Sequence, residues 1–240
     1  MERDVTAEAQ MIQLRSLAFG SFAEADPLNP NFVPGQPKLR LTVDASDGAR
    51  AAEPEVLDRL VTAFPGLKRH RCQMNERPSD DGEGPRGIVL LPEEPSANQA
   101  HLLEHLLLEM LSSLDRAPRR SGVTCAYASA PERCDVFVEC GTPGAADVAV
   151  PLAIEALNAG IAGKPVGPLF PDALRAAAVW IDSPSPSGWN AGRLAESTHL
   201  ATDRARAVLE LFRRVGLAAV EPYAMNWSGE PAYRMTRRRK

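Results

Sequence analysis

Segments of two-residue and of helical periodicity alternate along the chain in the order β-α-β-α-β-β-α, and one pair of strands is joined by a short turn. Strands mixed with helices, with a hairpin among them, predict an α+β fold. The expected form is a mixed, mainly antiparallel sheet with helices packed on one face, followed by a C-terminal helical extension. Residues 1–37 read as an irregular lead-in. Four prolines fall between Asp26 and Pro37, and neither a helix interior nor a central strand accepts them.

The first strand is predicted at Lys38–Val43, where Leu39, Leu41 and Val43 alternate with polar residues. A helix is predicted from Glu53 to Phe64. Pro54 sits in its first turn, Val56, Leu57, Leu60, Val61 and Phe64 form its apolar stripe, and Pro65-Gly66 stops it. The polar stretch Glu76–Arg86 reads as a surface loop and Gly87–Leu91 as a short buried strand. Ser96 is placed to cap a helix over Ala97–Leu114. Val123–Tyr127 and Asp135–Val138 read as two strands joined by a turn around Pro131, and Ala145–Gly160 as a helix ended by its glycine. Beyond Gly163, helices are expected over Phe170–Ile181 and Thr198–Val215. The chain thus divides into a lead-in (1–37), an α+β domain (38–164) and a helical extension with a basic tail (165–240).

At 240 residues, 44% hydrophobic and 24% charged, the chain is long and apolar enough to bury a core. No apolar run approaches the ~20 residues of a membrane span, and MERDVTAEAQ lacks an apolar signal core, so a cytoplasmic protein without membrane contact is expected. Four cysteines are too few for a disulfide scaffold. A net charge of −4 argues against nucleic acid as a partner, and 5% aromatics argue against a base-stacking platform. The ending PAYRMTRRRK carries five positive charges and reads as a frayed tail or a short contact for an acidic partner.

Two of the four histidines fall in His101-Leu-Leu-Glu104-His105, the H-x-x-E-H pattern of inverted zincins. Residues four apart share a helix face, so two imidazoles can address one metal ion, zinc being the expected cofactor at one per chain. Glu104 beside them is the candidate catalytic base for a water whose pKa the metal lowers toward ~7. The helix HLLEHLLLEML is apolar on nearly every side, and buried ionisable groups need partners. Glu109, four residues past His105, lies about 12 Å along the helix from His101. It is too far to share the ligand set easily, but it can support His105 from outside it or pair with Arg116. A third ligand must come from elsewhere: Cys72, His70, Glu132, Cys134, Glu139 and Cys140 are the candidates. Cys72 is preferred, because His70, Arg71 and Cys72 bring two potential ligands and a positive charge together. Cys125 reads as a small buried hydrophobe and His199 as a solvated surface residue.

The motifs LRLTVD, FPGLKRHRC, HLLEHLLLEML, a G-V-T strand and CDVFVEC occur in the order seen in the N-terminal domain of cyanophycin synthetase. The chain resembles that domain over roughly Gln13–Pro165, with the HRC segment and the H-x-x-E-H helix as the specific parts. The resemblance implies a fold like that of pitrilysin-type peptidases. It also implies binding, and in some members internal cleavage, of a polymer of aspartate and arginine. His101 and His105 would then be metal ligands, Glu104 the base, and Cys72 and Glu109 neighbours of the site. The Gly-rich stretch that follows HRC in the family is replaced here by QMNERPSDDGEGPRG, and no GxxxxGK[ST] loop is present.

Two readings follow. The first is a zinc-dependent hydrolase of a peptide or isopeptide bond, acting on a peptide or polyamide substrate, with the acidic loop Asp80–Glu83 available to arginine-rich chains. The second is a non-catalytic module that holds a polymer or a partner biosynthetic enzyme, with the C-terminal helix and basic tail as its docking surface. A purely structural metal, with a closed fourth ligand, is a third arrangement of the same residues.

Overall fold

A computed structural model describes residues 11–45, 54–70, 88–90, 99–114, 120–127, 129–182, 188–225 and 231–236. The elements in chain order are β1 (Gln13–Gly20), β2 (Lys38–Asp44), α1 (Pro54–Ala63), β3 (Ile88–Leu90), α2 (Gln99–Leu114), β4 (Gly122–Tyr127) and β5 (Ala130–Glu139). They continue with α3 (Pro143–Ile161), α4 (Leu169–Asp182), α5 (Ala191–Thr198), α6 (Thr202–Arg214), β6 (Ala218–Met225) and β7 (Pro231–Met235). The fold is α+β, as expected. β1 to β5 form one sheet in the order β1-β2-β5-β4-β3, with each neighbouring pair antiparallel, and β6-β7 form a separate hairpin.

Strand alternation sets the two faces of the large sheet. Leu39, Leu41 and Val43 of β2, and Cys134, Val136 and Val138 of β5, are fully buried on the helix-covered face. α2 lies on β4 and β5 and packs against α3 and α4, while α1 packs against α3. α3 is nineteen residues long and apolar enough, by length and composition alone, to cross a membrane, where the sequence reading finds no such run. In the fold it is the central helix, with Val150, Leu152, Ala153 and Leu157 at zero exposure. The C-terminal helices join the same core. Trp180 of α4 meets Phe212 of α6 at 5.3 Å between ring centroids and Trp189 at 6.3 Å.

Four sequence expectations change. β1 lies within the stretch read as irregular lead-in. It is an edge strand with a bulge between Leu14 and Ser16, so its alternation is broken where a periodicity argument needs it. The turn after β4 comes before Pro131, which lies inside β5 at the hairpin end; β5 pairs with β2 only from Arg133 onward. The helix expected over Thr198–Val215 begins only at Thr202, as α6, and a separate helix that the sequence reading does not expect, α5, precedes it and ends at Thr198. His199 takes the left-handed conformation (φ 56°) and so cannot continue a right-handed helix, and it is exposed, as expected. The extension also ends in the β6-β7 hairpin, so Pro231–Met235 is strand rather than frayed tail. Residues 237–240, the Ser96 cap and the loop 76–86 lie outside the described residues.

The outer sheet face is polar at its centre. Thr42 Oγ1 donates to Asp135 Oδ1 (2.7 Å), while Arg40 Nη2 and Tyr127 OH both donate to Oδ2 (2.7 Å each). The segment before β2 covers part of this face: Phe22, Ala25, Leu28 and Phe32 pack on Val123, Cys125 and Phe137. Beneath it Lys38, 1% exposed, donates to Asp26 (2.6 Å) and to the carbonyl of Gln36 (3.2 Å), and stands over the Phe32 ring. Removing one partner strands a buried ammonium. Asp26→Ala is therefore expected to lower the unfolding free energy by about 3 kcal/mol, and Lys38→Met by clearly less, in urea titrations of the two variants.

Candidate functional site

α2 carries the site. Leu102, Leu103, Leu106, Leu107, Met110 and Leu111 are fully buried around it, which fixes the rotation of the helix and hence the direction of its polar side chains. His101 and His105, one turn apart, stack with centroids 4.7 Å apart, and their Nε2 atoms are 2.9 Å from each other. The other ring nitrogen of His105, Nδ1, lies 3.1 Å from Nδ1 of His70. Nε2 of His70 in turn lies 3.0 Å from Glu109 Oε2. The three imidazoles and the carboxylate therefore form one continuous chain: His101, His105, His70, Glu109.

His70 reaches α2 because Pro65–Arg69 forms a short 3₁₀ turn after α1, which ends with the His70 N–H bonded to the Leu67 carbonyl (3.2 Å). Gly66 in this turn faces Glu109 so closely that a β-carbon there would overlap the carboxylate. Glu109 thus lies within hydrogen-bond distance of His70, which in turn stands beside His105.

Glu104 turns the other way, toward β4. Its Oε2 accepts a hydrogen bond from Thr124 Oγ1 at 2.6 Å, and a β-carbon on Gly122 would come within 2.7 Å of Oε1. The small residues Gly122, Thr124 and Ala126 form the helix-facing side of β4. The sequence signal for Gly122 and Thr124 is this run of small side chains on one side of a strand, which does not by itself reveal that a glutamate packs on it.

Burial governs the electrostatics. It pushes the Glu104 carboxyl up to about 7, against the Thr124 hydrogen bond that lowers it. His105 is pushed down to about 3 by burial and by its two imidazole neighbours, and burial also lowers His101. Glu104 can thus take up or release a proton near neutrality, while His105 stays neutral with one lone pair.

The remaining candidates are placed elsewhere. Both oxygens of Glu139 are committed to backbone amides, Oε1 to Val33 N–H (2.8 Å) and Oε2 to Ser121 N–H (3.0 Å). Cys134 is buried in the core, its thiol pushed up to about 11 by burial. Cys140 is buried and its thiol donates to the Thr142 carbonyl. Glu132 is exposed on β5, and Cys125 is a buried thiol on the outer sheet face. Cys72 and Arg71, the Asp80–Glu83 loop and Arg116 lie outside the described residues.

Two imidazole nitrogens bound to one tetrahedral zinc stand about 3.3 Å apart. The His101–His105 pair therefore needs to open by only a few tenths of an ångström to share an ion. Among the described residues, however, no group of three or more His, Cys, Asp or Glu side chains is arranged to hold a metal. Comparison of the chain with protein-family models, with curated proteins and with solved structures returns no match.

The raised Glu104 value has a measurable consequence. The folded chain holds the Glu104 proton more tightly than the unfolded chain, whose carboxyl titrates near 4.5. The resulting stability is present below about pH 4.5 and is lost as pH rises through 7. Glutamine has no such dependence. The unfolding free energy of Glu104→Gln relative to the native chain should therefore rise by roughly 3 kcal/mol between pH 4.5 and pH 8, measured by urea unfolding across that range.

Proposed function

We propose that this chain is a metal-dependent hydrolase of a peptide or isopeptide bond, with His101 and His105 as metal ligands and Glu104 as the proton-transfer residue. The observation that carries this reading is the pairing of the two Nε2 atoms at 2.9 Å on a helix whose other sides are buried. Imidazole nitrogens suit zinc, and the remaining ligand would come from a segment such as the one holding Cys72. The chemistry zinc supplies when bound is Lewis-acid polarisation of the scissile carbonyl and of the attacking water.

The chain's own groups supply the proton traffic. Glu104, ionised in part near pH 7, accepts a proton from the attacking water and delivers it to the departing amine. Thr124 holds Oε2, which leaves Oε1 as the atom that carries the proton. Burial in the apolar packing around α2 keeps the carboxyl's affinity for the proton high. The resemblance of the HRC segment and the H-x-x-E-H helix to the cyanophycin synthetase N-terminal domain supports an aspartate- and arginine-rich polyamide as substrate.

The second reading, a non-catalytic module that binds a polymer or a partner enzyme, is favoured by one observation. His101, His105, His70 and Glu109 lie within hydrogen-bond distance of one another in series, so each ionisable group has a protein partner.

Elemental analysis of protein purified without a metal-affinity tag separates the two. The hydrolase reading expects about one zinc per chain, lost in His101→Ala and kept in Glu104→Gln. It also expects cleavage of Asp/Arg-rich polyamide by the native chain that falls at least 100-fold in Glu104→Gln. Native protein that holds no zinc and takes none up on addition would leave the binding module.

A further inference from the structure

We propose that Lys68 and Arg69 form a carboxylate-binding subsite beside the histidine cluster, which selects polyamide chains that carry free carboxylates. For the place of the bond to be cleaved this rests on the hydrolase reading above; the binding step stands apart from it.

The turn Pro65–Arg69 divides its side chains by direction. Gly66 and Leu67 are buried, Gly66 against the Glu109 carboxylate, and His70 follows with its ring beside His105 and Glu109. Lys68 and Arg69 are exposed. The turn is fixed by Leu67 N–H on the Phe64 carbonyl (3.1 Å) and by His70 N–H on the Leu67 carbonyl (3.2 Å). Its two charges are therefore held one and two residues from a side chain of the cluster.

Elsewhere on the chain cations are paired: Lys38, Arg40, Arg133 and Arg204 each meet a carboxylate at 2.6 to 2.9 Å. Among the described residues Lys68 and Arg69 have no hydrogen-bond or ion-pair partner, and Glu109, the acid of the cluster, faces His70 instead. Lys164 and Arg175 also have none, but they stand on separate elements, one after α3 and one on α4. In the sequence Arg71 continues the run as Lys-Arg-His-Arg. Two adjacent like charges repel, and an anion placed between them relieves the repulsion while meeting two sets of donors.

The reach suits a chain laid across the site. An extended polyamide advances about 3.4 Å per residue. A carboxylate about three residues along from a bond held at His101 and His105 comes within the sweep of a lysine or arginine side chain mounted next to His70. Arginine meets it with two parallel N–H donors and lysine as a point charge. A neutral amide in its place gains neither attraction, so the subsite discriminates between aspartate and asparagine.

Fluorescence anisotropy with a labelled oligo-aspartate and its oligo-asparagine counterpart tests the subsite. Native protein should bind the aspartate chain about 10-fold more tightly. The double variant Lys68→Ala/Arg69→Ala should lose about 3- to 30-fold of that affinity, with asparagine binding unchanged. Lys164→Ala/Arg175→Ala removes the same two charges elsewhere and should leave both affinities as they are. Equal binding of the two oligomers, no loss in Lys68→Ala/Arg69→Ala, or the same loss in both double variants overturns the subsite. Where Asp/Arg-rich polyamide is cleaved, Lys68→Ala/Arg69→Ala should raise KM by the factor lost in binding and leave kcat unchanged. Native protein that binds oligo-aspartate through Lys68 and Arg69 yet cleaves no polyamide with zinc supplied overturns the hydrolase reading and leaves the subsite standing.

Discussion

α2 is enclosed by fully buried leucines and methionine, yet it carries His101, Glu104, His105 and Glu109. A polar group taken out of water without a partner costs several kcal/mol, and a charge costs more. The site's geometry answers that constraint. His105 bonds to an imidazole at each ring nitrogen, Glu109 is bonded by His70, and Glu104, buried, takes Thr124 as donor and is pushed toward its neutral form. Apolar packing fixes how α2 is turned, and the need for partners then dictates what must surround it: a histidine at the end of one turn and a threonine on one strand.

The same constraint shapes the backbone around α2. Gly66 and Gly122 stand where the Glu109 and Glu104 carboxyls approach the turn and β4, and neither approach leaves room for a β-carbon. The helix therefore sits close to the sheet on one side and to the 3₁₀ turn on the other. Its two carboxyls divide the work by direction. Glu104 faces inward and is held near the pH at which it can exchange a proton, while Glu109 is partly exposed and stands at the end of the imidazole chain, beside His70.

The outer sheet face follows a different rule. There the ionic groups are partnered across neighbouring strands. Register places Thr42 opposite Asp135 and Arg40 opposite Phe137, so one carboxylate collects Arg40, Thr42 and Tyr127, and Arg40 stands over the Phe137 ring. Lys38 is sealed by the segment that precedes its own strand. These groups brace the sheet on which α2 rests, and their hydrogen bonds are directed to one another.

The sequence by itself determined the elements whose signal is local. Strict alternation in KLRLTV marked β2, a proline-led apolar stripe marked α1, and four-residue spacing put His101 and His105 on one face of α2. It did not disclose β1, whose bulge breaks the alternation and whose place at the edge is set by pairing with β2. Nor did it disclose the break at His199, because a left-handed residue that is not glycine leaves no compositional mark. Tertiary structure alone decided which distant groups complete the site. His70 lies 35 residues from His105 and Thr124 lies 20 from Glu104. Hydrogen bonds act over about 3 Å of space and carry no trace of separation along the chain. Which histidine closes a chain of imidazoles is therefore settled by how a turn, a helix and a strand pack, and by nothing that spacing within any one of them can show.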